Sequence, residues 1–441
     1  MIQVRVVGRP KRLFYGWVIV AGTMVQQLLQ QGVGFQGFGT FLVPLEQEFG
    51  WSKSALTGAR SIMQVESGLF GPIEGTLADR FGPRVTVSIG TFVFGLGMVL
   101  FGLVHSLWAY YAVFLLMAVG ASIGGFIALS VAINNWFRRK RTLALSLSQM
   151  GLSLGGIIVV PLLVWTQNEY GWRTAAMGAG FCVWAIGIPC ALLMRHSPER
   201  YGMLPDGDSP AAAAASPREI AGASKGAGSG LVDFTLREAM RTRAFWCIGL
   251  GHGLSITVIT AVTIHQFAHM EQGAGLSRAA AATVVTTIGA TNIAARLAAG
   301  FLGDRMTKRY VAAAGTVAAA VSVVILVTAH TLGQAMAFGV LFGFSWGIRG
   351  PMMTSMRGDY FGRAHFGKIV GASSLLTSPG SIMGPLLAGF MADVYGNYDL
   401  AFIVLAGISL LGAVMFMLAT PPKPPLRLRT ERGGSTERVP G

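Results

Sequence analysis

Apolar residues in this chain do not alternate with polar ones, nor do they form a single amphipathic stripe. They come in long runs separated by short polar turns. A helix needs about 20 mostly apolar residues to cross a bilayer. Twelve runs meet that length: 15–44, 53–78, 85–105, 108–136, 142–167, 172–194, 244–270, 279–303, 310–329, 332–356, 367–392 and 399–419. The pattern predicts an all-α membrane protein with twelve transmembrane helices. No cleavable leader is expected, because Met1–Phe14 is basic and Tyr15–Pro44 is too long for a leader's apolar core.

Composition agrees with this pattern. Of 441 residues, 52% are hydrophobic and 12% charged, about half the charged share of a soluble domain. Mean hydropathy is +0.57. These values exclude a disordered chain and a secreted disulfide scaffold. Cys182, Cys190 and Cys247 sit in apolar runs without metal-ligand spacing and read as buried thiols.

The net charge of +15 raises the question of nucleic acid, and the location of the charges answers it. With both termini placed in the cytoplasm, 28 of the 34 basic residues fall in cytoplasmic segments. Lys53, Arg173 and Arg278 fall outside, and Arg60, Arg296 and Arg349 fall within spans. That asymmetry is the positive-inside signature of an inner-membrane protein. Runs such as Arg138-Arg139-Lys140-Arg141 then face anionic lipid, and no nucleic-acid partner is expected.

Residues 196–241 break the apolar pattern. They hold four prolines, an alanine tract at 211–215 and a Gly-Ser-rich stretch, and read as a cytoplasmic linker with a short amphipathic helix near Leu231–Met240. The expected organisation is a six-helix bundle over 1–195, the linker, a second bundle over 242–420 and a cytoplasmic tail over 421–441. The bundles repeat each other. Gly75-Thr-Leu-Ala-Asp79-Arg80 matches Gly300-Phe-Leu-Gly-Asp304-Arg305, Pro161-Leu-Leu matches Pro385-Leu-Leu, and Tyr170-Gly171 matches Tyr395-Gly396, all at an offset of 224 or 225. Four matches in order, counting Phe137 with Phe361, predict two pseudo-symmetric halves around a central cavity.

The segment Gly75-Thr-Leu-Ala-Asp-Arg-Phe-Gly-Pro-Arg84 resembles the signature between spans two and three of the major facilitator superfamily. Tyr15-Gly-Trp17, Phe41–Ser52 and Tyr170-Gly-Trp-Arg173 are similar to its monocarboxylate transporter and oxalate/formate antiporter branch. The resemblance implies the major facilitator fold and a secondary transporter of small organic anions, often with a proton. It implies a latch role for Asp79, Arg80 and Arg84, with Asp79 near the N-terminus of span eleven, and matching roles for Asp304 and Arg305.

Charged residues at membrane depth supply the candidate chemistry, since each costs roughly 2.5–3.5 kcal/mol unless it faces a cavity or partner. Arg296 and Asn292 share one face of span eight. Arginine's planar fork suits a carboxylate, and the resemblance places the anion anchor at Arg296. In that branch an aspartate stands where this chain has Asn292. The alternative for Arg296 is a structural pair with backbone or Glu66. Arg349 lies at similar depth in span ten beside Gly350-Pro351 and serves either as a second cation for the passenger or as partner to an acid. No lysine stands in Ser373–Ser381, where oxalate-type relatives carry one, so oxalate is not expected.

Glu66, midway along span two, is the candidate proton-coupling group or the ion-pair partner of Arg60 or Arg349. Span one carries five glutamines, of which Gln30 and Gln31 are candidate passenger contacts, among glycines that suit a bending helix. His265 and His269 share a face but lack a third ligand, so no metal is expected. No Walker loop and no nucleophile–base pair is present, so neither ATP, another cofactor nor an enzymatic reaction is implied.

The resulting expectation is a monomeric, cofactor-free secondary transporter of a small monocarboxylate-like anion, coupled to protons. Two alternatives remain at this stage: transport of a larger aromatic or amphipathic compound, using the tryptophans and phenylalanines, and a non-transporting sensor or scaffold.

Overall fold

The computed structural model describes residues 14–207 and 233–425, apart from the side chains of residues 53, 54, 57, 59–65, 67–69, 272 and 278. The terminal basic tails, the alanine tract, the Gly-Ser stretch of the linker and the side chain of Arg60 lie outside the described residues. Every regular element among the described residues is a helix. Span one is α1 (Gly16–Gln30), a π-helical turn (Gln31–Gln36) and α2 (Phe38–Phe49). Spans two and three are α3 (Lys53–Phe81) and α4 (Pro83–Phe101), and span four is α5 (Leu107–Ile123) with α6 (Phe126–Trp136). Span five is α7 (Arg141–Leu154), a π turn (Gly155–Val159) and the start of α8 (Val160–Cys182). Span six is the rest of α8, a third π turn (Val183–Gly187) and α9 (Ile188–Leu192). After the short linker helix α10 (Leu236–Met240), spans seven to twelve are α11 (Arg243–Ala268), α12 (Arg278–Arg305), α13 (Lys308–Val327), α14 (Leu332–Phe361), α15 (Phe366–Tyr395) and α16 (Asp399–Leu418).

Local chemistry sets these boundaries. Ser52, Ser106, Thr242, Ser277 and Thr331 each accept a hydrogen bond from the backbone N–H three residues on, capping α3, α5, α11, α12 and α14. Within α8, Gly171 has φ +79°, a conformation open to a residue without a Cβ, and it turns span five into span six. By length and composition alone, eight described stretches qualify as membrane-crossing, one of which (Arg141–Leu192) contains both spans five and six. The spans that do not qualify are one, two and ten. They carry Gln30 and Gln31, Glu66 and Glu74, and Arg349 and Arg357. A helix too polar for lipid on every face has to turn a face inward.

The spans form two six-helix bundles with separate apolar cores, one around Phe94, Phe101 and Phe114, the other around Phe338, Phe342 and Phe402. Of the cysteines expected to be buried, Cys182 is exposed and Cys190 and Cys247 are half-buried. In a membrane protein the outer helix faces meet lipid, and an apolar thiol is as much at home there as in a core.

The halves meet most extensively where span two packs on span eleven and span five on span eight. Small residues allow this. A Cβ added at Gly75 would run into the backbone of Gly367, and one at Gly371 into the backbone of Gly71. Gly75→Val is expected to push the halves apart and destabilise this packing by about 1–3 kcal/mol. The measurement is thermal unfolding of the purified protein, in which the variant's melting temperature falls.

Candidate functional site

Between the halves lies a cavity of about 350 Å³. Span one lines it with Gln30, Gln31, Gly34 and Phe35, span two with Glu66 and Glu74, and span four with Ser122 and Phe126. From the other half come His252 of span seven, Arg357 of span ten, and Ser373, Ser374 and Thr377 of span eleven. The π turn at Gln31–Gln36 explains why span one presents consecutive amides here. The wider coil brings Gln30, Gln31, Gly34 and Phe35 onto one wall. Gln30 also donates to Gly124 O (3.2 Å), and the glutamines off the wall bind neighbours more tightly: Gln26 donates to Gly187 O (2.5 Å), Gln27 to Ser148 Oγ (2.6 Å) and Gln36 to Leu152 O (2.6 Å).

The charges are arranged with opposite signs on opposite halves. Glu66 is 5% exposed and accepts a hydrogen bond from Ser122 Oγ at 2.6 Å. Glu74 stands two turns along the same helix, 7% exposed, and its Oε1 has no hydrogen-bond partner. Facing them is Arg357, 3% exposed. Its Nη2 donates to His252 Nδ1 at 3.3 Å, and its Nε has no partner. A guanidinium has only donors, so His252 Nδ1 is an acceptor and the imidazole is neutral with its proton on Nε2. Among the described residues no carboxylate pairs with Arg357.

Arg357 and Glu74 were not among the residues expected from sequence. The apolar run of span ten ends near residue 356, which assigns Arg357 to a loop, whereas α14 continues to Phe361 and carries it inside. The available signal was spacing: Arg349 and Arg357, like Glu66 and Glu74, are eight residues apart and recur on one helix face.

The other candidates lie elsewhere. Arg296 Nε donates to Asn292 Oδ1 (2.9 Å) and its Nη1 reaches Gln149 Oε1 of the opposite half (3.0 Å). Asn292 Oδ1 also accepts from Ser153 Oγ at 3.4 Å. This pair therefore bridges spans eight and five and does not line the cavity. Arg349, 3% exposed, donates to Ser255 O (3.3 Å) in its own half and is likewise absent from the wall. Neither arginine pairs with Glu66. His265 and His269 donate to different carbonyls, Pro385 O and Leu326 O. Among the described residues no cluster of His, Cys, Asp and Glu could hold a metal ion.

At the end of the bundle that carries the basic loops, the cavity is closed by paired contacts. Asp79 accepts from the backbone N–H groups of Gly367 (2.9 Å) and Lys368 (2.8 Å), the N-terminus of α15. Asp304 does the same to Thr142 (2.9 Å) and Leu143 (3.2 Å), the N-terminus of α7. A carboxylate at the unsatisfied N–H groups of a helix start meets both hydrogen-bond donors and the positive end of the dipole. Arg141 pairs across the halves with Asp359 at 2.5 Å, and Lys308 joins the same carboxylate. Arg363 Nη1 adds a bond to Asn135 O at 2.6 Å. Arg80, Arg84 and Arg305 are exposed at this end, with Arg80 over its neighbour Phe81. At the opposite end, Glu48 accepts from Trp172 Nε1 (2.6 Å) and Arg173 Nη2 (2.7 Å), tying span one to span six within one half.

The family model described as Major Facilitator Superfamily matches residues 28–267 and 244–440. The chain belongs to the major facilitator superfamily. Among relatives of this transporter, Monocarboxylate transporter 13 of Bos taurus is 25% identical over 443 residues, covering 95% of this chain and 94% of its own. The Oxalate:formate antiporter of Oxalobacter formigenes is 25% identical over 379 residues, covering 86% of this chain and 84% of its own. The structure of the E. coli Fucose:proton symporter FucP superposes with TM-score 0.70 at 15% identity, over 93% of this chain and all of that one. The human organic anion transporter MFSD10 gives 0.69 at 15%, over 92% and 100%. The structural matches show the shared twelve-helix fold. The protein is a membrane transporter related to monocarboxylate transporters and the oxalate:formate antiporter, not an enzyme.

Asp359→Asn leaves Arg141, whose side chain is 5% exposed, without its carboxylate. Breaking a buried pair costs about 3–5 kcal/mol; the low end is expected, because Asp359 keeps 20% exposure. The melting temperature falls, and a cysteine placed at buried Ser355 becomes reactive to an impermeant maleimide.

Proposed function

We propose that this transporter moves a small organic monoanion together with a proton across the inner membrane by alternating access. Positive-inside sorting of its loops puts the basic end and both termini in the cytoplasm. The state described here is then closed toward the cytoplasm by Asp79, Asp304 and the Arg141–Asp359 pair, which act as the gate and separate when the cavity opens inward. The exposed Arg80, Arg84 and Arg305 supply positive charge beside that gate.

One observation carries this reading: Arg357, a buried guanidinium without a carboxylate partner, stands on the wall of the cavity between the halves. A bare charge there is expensive, and an incoming carboxylate satisfies it with charge-assisted hydrogen bonds. Gln30 and Gln31 orient the passenger, and Phe35, Phe94 and Phe126 receive its apolar body. Arg296 with Asn292 is a second anion contact, reached once the bond to Gln149 is released. Arg349, engaged with Ser255 O, has no part in this reading. The carboxyls of span two, Glu66 at mid-span first among them, carry the coupling proton. The cavity, at about 350 Å³, has room for a body as large as benzoate. A sensor or scaffold role has no use for such a cavity.

Uptake of radiolabelled monocarboxylates, from acetate to benzoate, into proteoliposomes with an acid exterior tests the proposal. Arg357→Gln is expected to lower uptake about 30-fold or more, from the 2–5 kcal/mol typical of truncating a buried charge contact. Unchanged uptake in that variant overturns Arg357 as the anchor. Oxalate, with two charges to one cavity cation, is expected to compete poorly with benzoate. Comparable competition refutes the monoanion assignment.

A further inference from the structure

The arrangement of Arg357, Glu66 and Glu74 points to a coupling mechanism more specific than the one just proposed, and it rests on that reading. We infer that Glu66 and Glu74 form one interchangeable proton site that balances Arg357, so that each monoanion enters with a single proton and transport moves no net charge.

The argument begins with the groups that face this cavity. Span two contributes Glu66 and Glu74, span ten Arg357, and span seven the neutral imidazole of His252. Spans one, three, four and eleven contribute amides, hydroxyls and apolar groups to the wall, and among the described residues no further titratable side chain lines it. A cavity closed off in the bilayer is stable only when its charges nearly cancel. When empty, Arg357 is balanced by one ionised carboxylate while the other holds a proton. When a monoanion binds Arg357, that balance holds only if the ionised carboxylate takes up a proton as well. The loaded cavity then contains the guanidinium, the anion and two neutral carboxyls. On release the proton leaves with the anion, and the empty cavity returns in its original charge state.

The local geometry supports sharing. Glu66 and Glu74 are eight residues apart on one helix. Glu66 is held by the Ser122 hydroxyl, and Glu74, equally buried, has an oxygen with no partner. Either carboxylate therefore serves as the counter-charge when the other is removed. This explains how a chain with Asn292 beside Arg296 couples to protons without a carboxylate in span eight. It also explains selection against dianions: with both carboxyls protonated, one cation still faces two negative charges.

The test uses full-length protein in detergent and in liposomes, with benzoate as the probe. In weakly buffered solution with a pH indicator, wild type is expected to take up one proton per benzoate bound. Glu66→Gln and Glu74→Gln each keep that stoichiometry, and the double variant takes up none while still binding. In liposomes the wild-type flux is insensitive to an imposed membrane potential. The double variant loses net uptake at least tenfold, because the empty cavity must return with an uncompensated cation, but retains benzoate exchange within about threefold. Its retained exchange and monodisperse elution show that it is folded. Loss of proton uptake in either single variant, pH-dependent uptake in the double variant, or current carried by the wild type overturns the inference while leaving anion transport intact. Absence of benzoate binding and flux in the wild type overturns the transport proposal itself.

Discussion

Everything in this molecule is organised around the cost of holding charge where there is no water. Lipid offers a guanidinium or carboxylate no hydrogen bonds and little dielectric screening. Each ionisable group at membrane depth therefore has to find a partner, a cavity or a helix terminus. Arg296 finds Asn292 and Gln149, and Arg349 finds a main-chain carbonyl. Asp79 and Asp304 find helix N-termini. Arg357 alone among these arginines lines the cavity, in whose opposite wall stand two carboxylates.

The same constraint shapes the closure. Because the two halves repeat, the carboxylate that ends span two meets the start of span eleven, and its counterpart ending span eight meets the start of span five. Each contact is made of backbone donors that exist wherever a helix begins. All of these bonds sit at one end of the bundle, so in the proposed alternating-access cycle they would be lost as a set. Close glycine contacts, such as Gly75 against Gly367, let the two backbones approach without interlocking side chains.

Much of the architecture was legible beforehand. Run length predicts the spans, the repeated Gly-x-x-x-Asp-Arg segments predict the two halves, and the glycines and glutamines of span one predict a bent, polar wall. The site was less legible. Hydropathy ends span ten where its polarity rises, so Arg357 reads as a loop charge although α14 carries it inward. Glu74 lies inside the predicted second span but near its end, where a carboxylate can reach the polar boundary, and so draws less notice than Glu66 at mid-span. Arg296 stands out in an apolar run, yet its guanidinium turns sideways into the neighbouring half instead of into the cavity.

From its sequence alone this chain is a twelve-span, duplicated membrane protein with its positive loops on one side, because transfer of side chains to lipid is a local, additive property of each segment. Which charges share a cavity was decided only by tertiary structure. Rotation of a helix about its axis and its pairing across the pseudo-twofold depend on packing between segments hundreds of residues apart, and about two turns of one helix separate Arg349, tied to its neighbour, from Arg357 on the cavity wall.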